Sequence, residues 1–426
     1  MKISRTFYNK PSFWIWFIIV FNCTYRALCY FLNLPSSIVY LSDVAWIVLS
    51  LMLVKRRSNN LYNAKLVKSL LTLLFLETVV GYLLNLYNPL VYLWGFRTFF
   101  RYIIFFLACA CYLHTEDVDK FLRFFNGILF VNAIVCVFEY AMGYGWDSIS
   151  GLYSAGPDVL GGASGLNVLL CIVSTCLLIQ YIYKGISIVK MIIPIGLCMV
   201  MASLSEQKAF YFEFILILIL CTLLTKFSFK KLGIIVVGVG MLSVGFFLYA
   251  RYYGNMNDIY SWEAMMAYAG LDGSTYGKHL LNRTTALPYV IDNFLKTPIQ
   301  KLFGLGLGYG DNVSVSLISS GFYEKYNYLG YHYFFTSLEG VNIGILGLIL
   351  YYALIITVFV YARRKGKEAP EELKKYFVLP QVICLLTIFF SIYNQSLILD
   401  IAAFNIYFVL AIPFIVNRER SIHEKR

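Results

Sequence analysis

Charge is scarce in this chain. Asp, Glu, Lys and Arg together fill 14% of its 426 positions, where soluble domains carry roughly a quarter. That shortage excludes most soluble folds, whose surfaces need charge to face water. Histidine is rarer still, with four in all, and neither an HExxH helix nor a CxxC pair occurs. Zinc-hydrolase and zinc-ribbon chemistry therefore drop out. The glycine run GLGLGYG at 304–310 lacks the Lys-Ser/Thr of a phosphate-binding loop and the strand–helix context of a dinucleotide fold. It reads as a turn that lets backbone pack close. Cysteine is present, but all ten copies fall inside apolar runs, so no disulfide framework is expected. The first apolar run, Pro11 to Leu32, is too long for a cleavable signal and has no small-x-small site. It reads as the first span.

What remains is apolar. Hydrophobic residues make up 60% of the chain, and the mean hydropathy is +0.70. They come in runs approaching the roughly 20 residues that cross a bilayer. The pattern predicts an all-α polytopic membrane protein, a single membrane-embedded domain over residues 1–426. Its spans number about twelve, near 11–32, 38–54, 67–87, 93–113, 121–142, 163–183, 188–204, 209–225, 232–250, 333–361, 377–393 and 397–416. With both termini cytoplasmic, every inner segment is basic, and together these segments hold twenty-five of the 35 Lys and Arg residues. The positive-inside rule then accounts for the net charge of +12, and no nucleic-acid partner is needed.

Two outer segments are substantial. The smaller, 143–162, is rich in Gly and Ser and reads as irregular. The longer, 251–331, lies between spans nine and ten and is predicted to carry short helices. Leu287, Val290, Ile291 and Phe294 fall at helical spacing within Thr284 to Leu295. Loops of this length are usually functional or disordered, and the aromatic content here argues for order.

Ten basic residues break the positive-inside bias: Arg26, Arg97, Arg101, Lys208, Arg251, Lys278, Arg283, Lys296, Lys301 and Lys325. Arg97 and Arg101 lie four apart at the outer end of span four, so both project from one helical face. Two guanidiniums so placed suit a diphosphate; the other reading is that both snorkel to lipid phosphates. Lys208 sits in the tight turn SLSEQKAF, with Glu206 as a salt-bridge partner or a ligand site in view. Arg251 opens the long loop and Arg283 precedes its helix. His279 and His332 fall outside. His332 could take a proton from a hydroxyl, with Glu339 seven residues on along nearly the same face, or it could be one more ring in an aromatic belt. Asp43, Glu77, Glu139, Glu213 and Asp400 are membrane acids that would serve a transporter.

These features together resemble the bacterial O-antigen and capsular polysaccharide polymerases of the Wzy type and the related O-antigen ligases. The resemblance rests on the late outer loop, Arg283 before a helix, the GLGLG turn, and His332 ahead of Gly344-Ile-Leu-Gly347. The chain departs from it in three places: Gln207-Lys208 stands where Ser-Arg is common, Tyr333 where Asn follows the His, and Asn342 where an acid is common. The resemblance implies a GT-C-like fold and a metal-independent glycosyltransferase in the bacterial cytoplasmic (inner) membrane, working on its outer side. No cofactor is implied. The donor would be an undecaprenyl-diphosphate-linked oligosaccharide. Membrane lipid, a chain-length regulator and a flippase are the other partners it implies. Arg97, Arg101, Lys208, Arg251 and Arg283 would then bind the diphosphate or glycan, with His332 as base and Glu339 orienting it. A ligase that transfers finished glycan to another acceptor, and a lipid-linked oligosaccharide flippase, are the alternatives.

Overall fold

In a computed structural model of the protein the described residues are 10–55, 65–253, 266 and 280–423, apart from positions 158, 160, 184, 227, 228 and 314. Lys278 and His279 lie outside them. The long helices, numbered alone, are α1 (Pro11–Phe31), α2 (Leu41–Lys55), α3 (Lys65–Asn85), α4 (Pro89–Tyr112), α5 (Thr115–Ala141) and α6 (Ala163–Ile182). They continue with α7 (Ile188–Leu204), α8 (Lys208–Leu224), α9 (Phe229–Tyr253), α10 (Phe335–Glu368), α11 (Lys375–Tyr393) and α12 (Asp400–His423). No strand occurs among the described residues.

Each predicted span has its helix, and about ten are candidates to cross a membrane by length and composition. Helices α7 and α8 have 17 residues each, at the short end of the range for a span. Helix starts follow local chemistry. Pro11 and Pro89 begin α1 and α4, where the missing N–H costs nothing. Asn88 accepts the Leu90 N–H at 3.0 Å and caps α4.

Side-chain contacts bring three basic segments, at the α4–α5 turn, the start of α11 and the end of α12, to one end of the bundle. Arg418 of α12 donates to the Ala110 carbonyl at the end of α4 (2.7 Å) and also to those of Cys111 and Leu113. Tyr376 of α11 donates to Asp119 of α5 (2.7 Å). Lys231 of α9 donates to the Thr225 carbonyl after α8 (2.7 Å). This end is called the basic face below. At the opposite face Asn88 donates to the Leu317 carbonyl (2.9 Å) and the Phe335 N–H to that of Asn394 (3.0 Å). Helices α6 and α12 are almost wholly enclosed by protein, whereas α2, α3 and α9 turn most of their surface outward. Exposed Val54, Leu223 and Phe247 are the surface a bilayer would cover. All ten cysteines are free.

The described part of the long loop folds into a cap with its own core. Ala286–Tyr289 and the π-turn Val290–Phe294 form the expected helix, and Val290, Leu295, Phe322 and Tyr331 bury together over the start of α10. From this cap the glycine run dives back among the long helices. There α10 is broken: Gly344 has φ 62° and ψ −166°. The break releases carbonyls, and the loop backbone takes them. The Leu305 N–H donates to Val341 O (2.7 Å) and the Gly306 N–H to Asn342 O (3.1 Å). Irregular backbone at such depth survives only when protein satisfies it. Glycine is required at the closest approaches. A Cβ on Gly308 (φ 83°) would lie 2.4 Å from the Val91 carbonyl of α4, and one on Gly344 would lie 2.4 Å from the Gly304 nitrogen.

Candidate functional site: a polar junction of α3, α4, α10 and the glycine run

Arg97 and Arg101 do share a face of α4, but that face meets carboxylates. Arg97 donates to Asp43 Oδ2 of α2 through Nε (3.1 Å) and Nη2 (2.6 Å). Arg101 reaches the other oxygen of Asp43 at 3.3 Å and Asp400 Oδ1 of α12 at 2.5 Å. Tyr102 closes the network, with its hydroxyl 2.8 Å from Asp400 and 2.7 Å from the Ile398 carbonyl. Two guanidiniums facing two carboxylates form a charge-matched brace across α2, α4 and α12. The expectation of an open diphosphate clamp is thereby corrected: both cations are engaged, because the helix face that aligns them also packs against α2 and α12. The Arg101 side chain is buried, and an ion pair in that position is stable only as a complete set.

The same end of α4 carries Thr98, whose hydroxyl donates to Asp311 Oδ2 (2.8 Å). Asp311 directly follows the glycine run. Its other oxygen accepts from Asn342 Nδ2 (2.9 Å), while Asn342 Oδ1 accepts from the Gly310 N–H (2.8 Å). The Asn342 amide also lies 3.4 Å from Glu339 Oε2. Burial pushes the Asp311 carboxyl above the usual carboxylate range, partly opposed by the Asn342 and Thr98 hydrogen bonds and by the charges of Arg97 and Arg101. Asp311 and Glu77 of α3 both act electrostatically on Glu339. Glu77 is buried, and neither of its oxygens has a hydrogen-bond partner. Three carboxyl groups thus approach one junction from α3, α10 and the loop.

His332 stands apart from this junction. It lies in the 3-10 turn Tyr331–Tyr333, before α10 begins at Phe335, so it does not share a helical face with Glu339. Glu339 contacts Asn342 instead, and the orienting role expected of it toward His332 is not realised. The imidazole packs among tyrosines, 4.3 Å from the Tyr333 ring and 4.9 Å from that of Tyr323. Its Nδ1 is buried with no hydrogen-bond partner. Burial pushes its pKa down to about 4, which leaves it neutral at pH 7.

The other candidates scatter. Arg283 stacks over Tyr393 at the end of α11, 4.2 Å from the ring centroid. Lys208 pairs with Glu206 at 3.0 Å, and Tyr249 of α9 donates to the same carboxylate (3.2 Å). Arg251 is exposed in the last turn of α9. The structure therefore brings Arg97 and Arg101 together on Asp43, links Glu339 to the end of α4 only through Asn342 and Asp311, and leaves Lys208, Arg251, Arg283 and His332 at other contacts. Asp311 and Asn342 were missed by sequence reasoning. One signal was available: Asp311 closes the glycine run, and Asn342 occupies the position where the resemblance puts an acid.

Chemically the junction offers a carboxyl of raised proton affinity within the field of two arginines. Among the described residues no group of three His, Cys, Asp or Glu side chains is placed to hold a metal ion. No family model matches the chain, and no curated protein matches it. By its helices and their composition it is a multi-pass, all-helical membrane protein.

Proposed function

We propose that the protein is a glycosyltransferase that joins polyprenyl-diphosphate-linked oligosaccharide units, as a polysaccharide polymerase of the O-antigen or capsular type. The observation that carries this reading is the lodging of Asp311 between Thr98 and Asn342, within the field of Arg97 and Arg101 and on the face opposite the basic clusters. Transfer from such a donor needs little else. An acceptor hydroxyl attacks the anomeric carbon, the bond from that carbon to the diphosphate oxygen breaks, and polyprenyl diphosphate leaves with the bonding electrons. The hydroxyl proton needs a base, and Asp311 is the best-placed carboxylate for it. The departing charge needs fixed cations. Arg283, in the loop itself and stacked over Tyr393, is the cation offered for this role, since Arg97 and Arg101 stay paired with Asp43 and Asp400. The site would open to the outer side of a bacterial cytoplasmic membrane if the basic face is the inner one.

The test is reconstitution of the protein in vesicles with a polyprenyl-diphosphate-linked oligosaccharide and display of the product on a gel. A ladder of repeats is expected, and Asp311→Asn should reduce it by about 10²–10⁴-fold, the usual value of a general base, at unchanged melting temperature. A full ladder from that variant removes Asp311 as the base. Transfer of one unit to a foreign acceptor, with no ladder, replaces polymerase by ligase.

A further inference from the structure

At the basic face, far from the junction above, a cavity of about 740 Å³ opens between α5, α6 and α7, with α11 at its edge. Its polarity is graded with depth. Along α5 the lining runs Asp119, Arg123, Asn126, Phe130; along α6 it runs from Gln180 through Leu177 to Val173; along α7 it runs from Lys190 to Ile193. In each case the polar residue is at the basic face and the hydrocarbon lies further along the helix from that face. Spacings of three and four keep these residues on one face of each helix.

The mouth is cationic. Arg123, Lys190 and Lys375 line it against one acid, Asp119. Asp119 is turned to α11, where it accepts from Tyr376 (2.7 Å) and faces Lys375 at 4.0 Å. Just below the mouth one side-chain acceptor is unfilled. Asn126 Oδ1 is buried with no hydrogen-bond partner. Pro194 inside α7 has no N–H to offer the Lys190 carbonyl one turn back. A solvated basic face explains the cations but neither the graded cavity nor the buried acceptor.

We infer that this cavity is a binding site for a phosphate-headed lipid, the phosphate held by Arg123 and Lys190 and the chain running down past Leu177 and Ile193. Basic pockets between spanning helices hold anionic head groups in this way, and the volume lies in the range of small-ligand sites. Asn126 Oδ1 takes a hydroxyl, or a water, beneath the phosphate.

The experiment is native mass spectrometry of the full chain in detergent, titrated with phosphatidylglycerol, phosphatidylcholine of the same chains, or inorganic phosphate. Phosphatidylglycerol should be retained at least about 5-fold better than phosphatidylcholine. The double variant Arg123→Gln/Lys190→Gln should remove that preference, and Lys325→Gln, on the opposite face, should keep it. Ile193→Trp, which fills the depth, should weaken both lipids. Melting temperature without lipid confirms that each variant is folded, and the charge variant decides the matter if Ile193→Trp is not. Equal retention of the two lipids, a preference untouched by the double variant, or inorganic phosphate binding as well as the lipid would each overturn the inference.

Discussion

Glu139 and Glu77 are the same residue, both buried in long apolar helices, and they are satisfied in opposite ways. Glu139, near the end of α5, accepts the Ser150 N–H (3.0 Å) and the Gly151 N–H (2.7 Å) with one oxygen. Asn132, two turns below, accepts the Leu152 N–H (2.8 Å). Together they staple the segment 143–162 to its helix. Glu77 has no hydrogen bond from either oxygen, and its electrostatic neighbour is Glu339. Asp43 and Asp400 likewise close their bonds with arginine, and one Glu213 oxygen takes the Cys171 thiol (3.1 Å). A buried carboxyl that closes none is costly, and here it stands where α3, α10 and the glycine run meet. The contrast sets a stapled carboxyl beside an unstapled one at the candidate site.

The largest effect should come from removing what creates the junction. Gly344 occupies a backbone region open essentially to glycine alone, and its Cβ would also strike the Gly304 nitrogen. Gly344→Ala should cost about 3 kcal/mol or more, seen as a large fall in melting temperature in detergent. An unchanged transition would mean that the break in α10 is not locked by the loop. The brace comes next. Arg101→Met leaves two carboxylates facing one cation and should cost about 3–5 kcal/mol. Adding Asp400→Leu should restore part of that loss, and strictly additive effects would show that the pair is not coupled.

The topology was legible because hydropathy averages over some twenty residues and because Lys and Arg cluster at one face. Even the short helices α7 and α8 were read at their length of 17 residues, since basic or polar residues bound both apolar runs. Within the site, the pairing of Arg97 with Arg101 was visible at a spacing of four. Their engagement was not, since Asp43 lies 54 positions from Arg97 and the packing of α2 on α4 has no local signature. Asp311 was passed over for the same reason. Its meaning comes from Thr98, 213 positions away, and from the chain's return into the bundle. The glycine run was read as a place of close backbone approach, and the contacts of Gly308 bear that out. His332 was placed on the face of Glu339 by extending the helix three residues too early.

A smaller pair of substitutions sharpens the opening contrast. Glu139→Gln turns an amide toward two N–H donors and should cost about 1–3 kcal/mol. Glu77→Gln replaces a buried carboxyl that has no hydrogen-bond partner and should leave stability within about 0.5 kcal/mol or raise it, while reducing glycan extension if the proposed function holds. Thermal or denaturant unfolding of both variants in one detergent reads the difference, and equal losses would erase the distinction between staple and site.

The smallest effect concerns His332, whose surroundings resemble neither case. Its ring is packed among tyrosines and its proton affinity is lowered by burial, to a pKa of about 4 against an ordinary 6.5. Above pH 6.5 the imidazole is neutral in both folded and unfolded chains and stability is indifferent to pH. Between about 6.5 and 4 the unfolded chain binds a proton that the folded one does not, so stability falls as pH falls and levels off below the folded pKa. His332→Gln lacks this titration, and its melting temperature should decline less than the parent's across that window, by a degree or two on the order of one surface-tempered desolvation. Parallel acid limbs in the two proteins would mean that the ring reaches water through the cap, and that burial by the tyrosines does not hold it neutral.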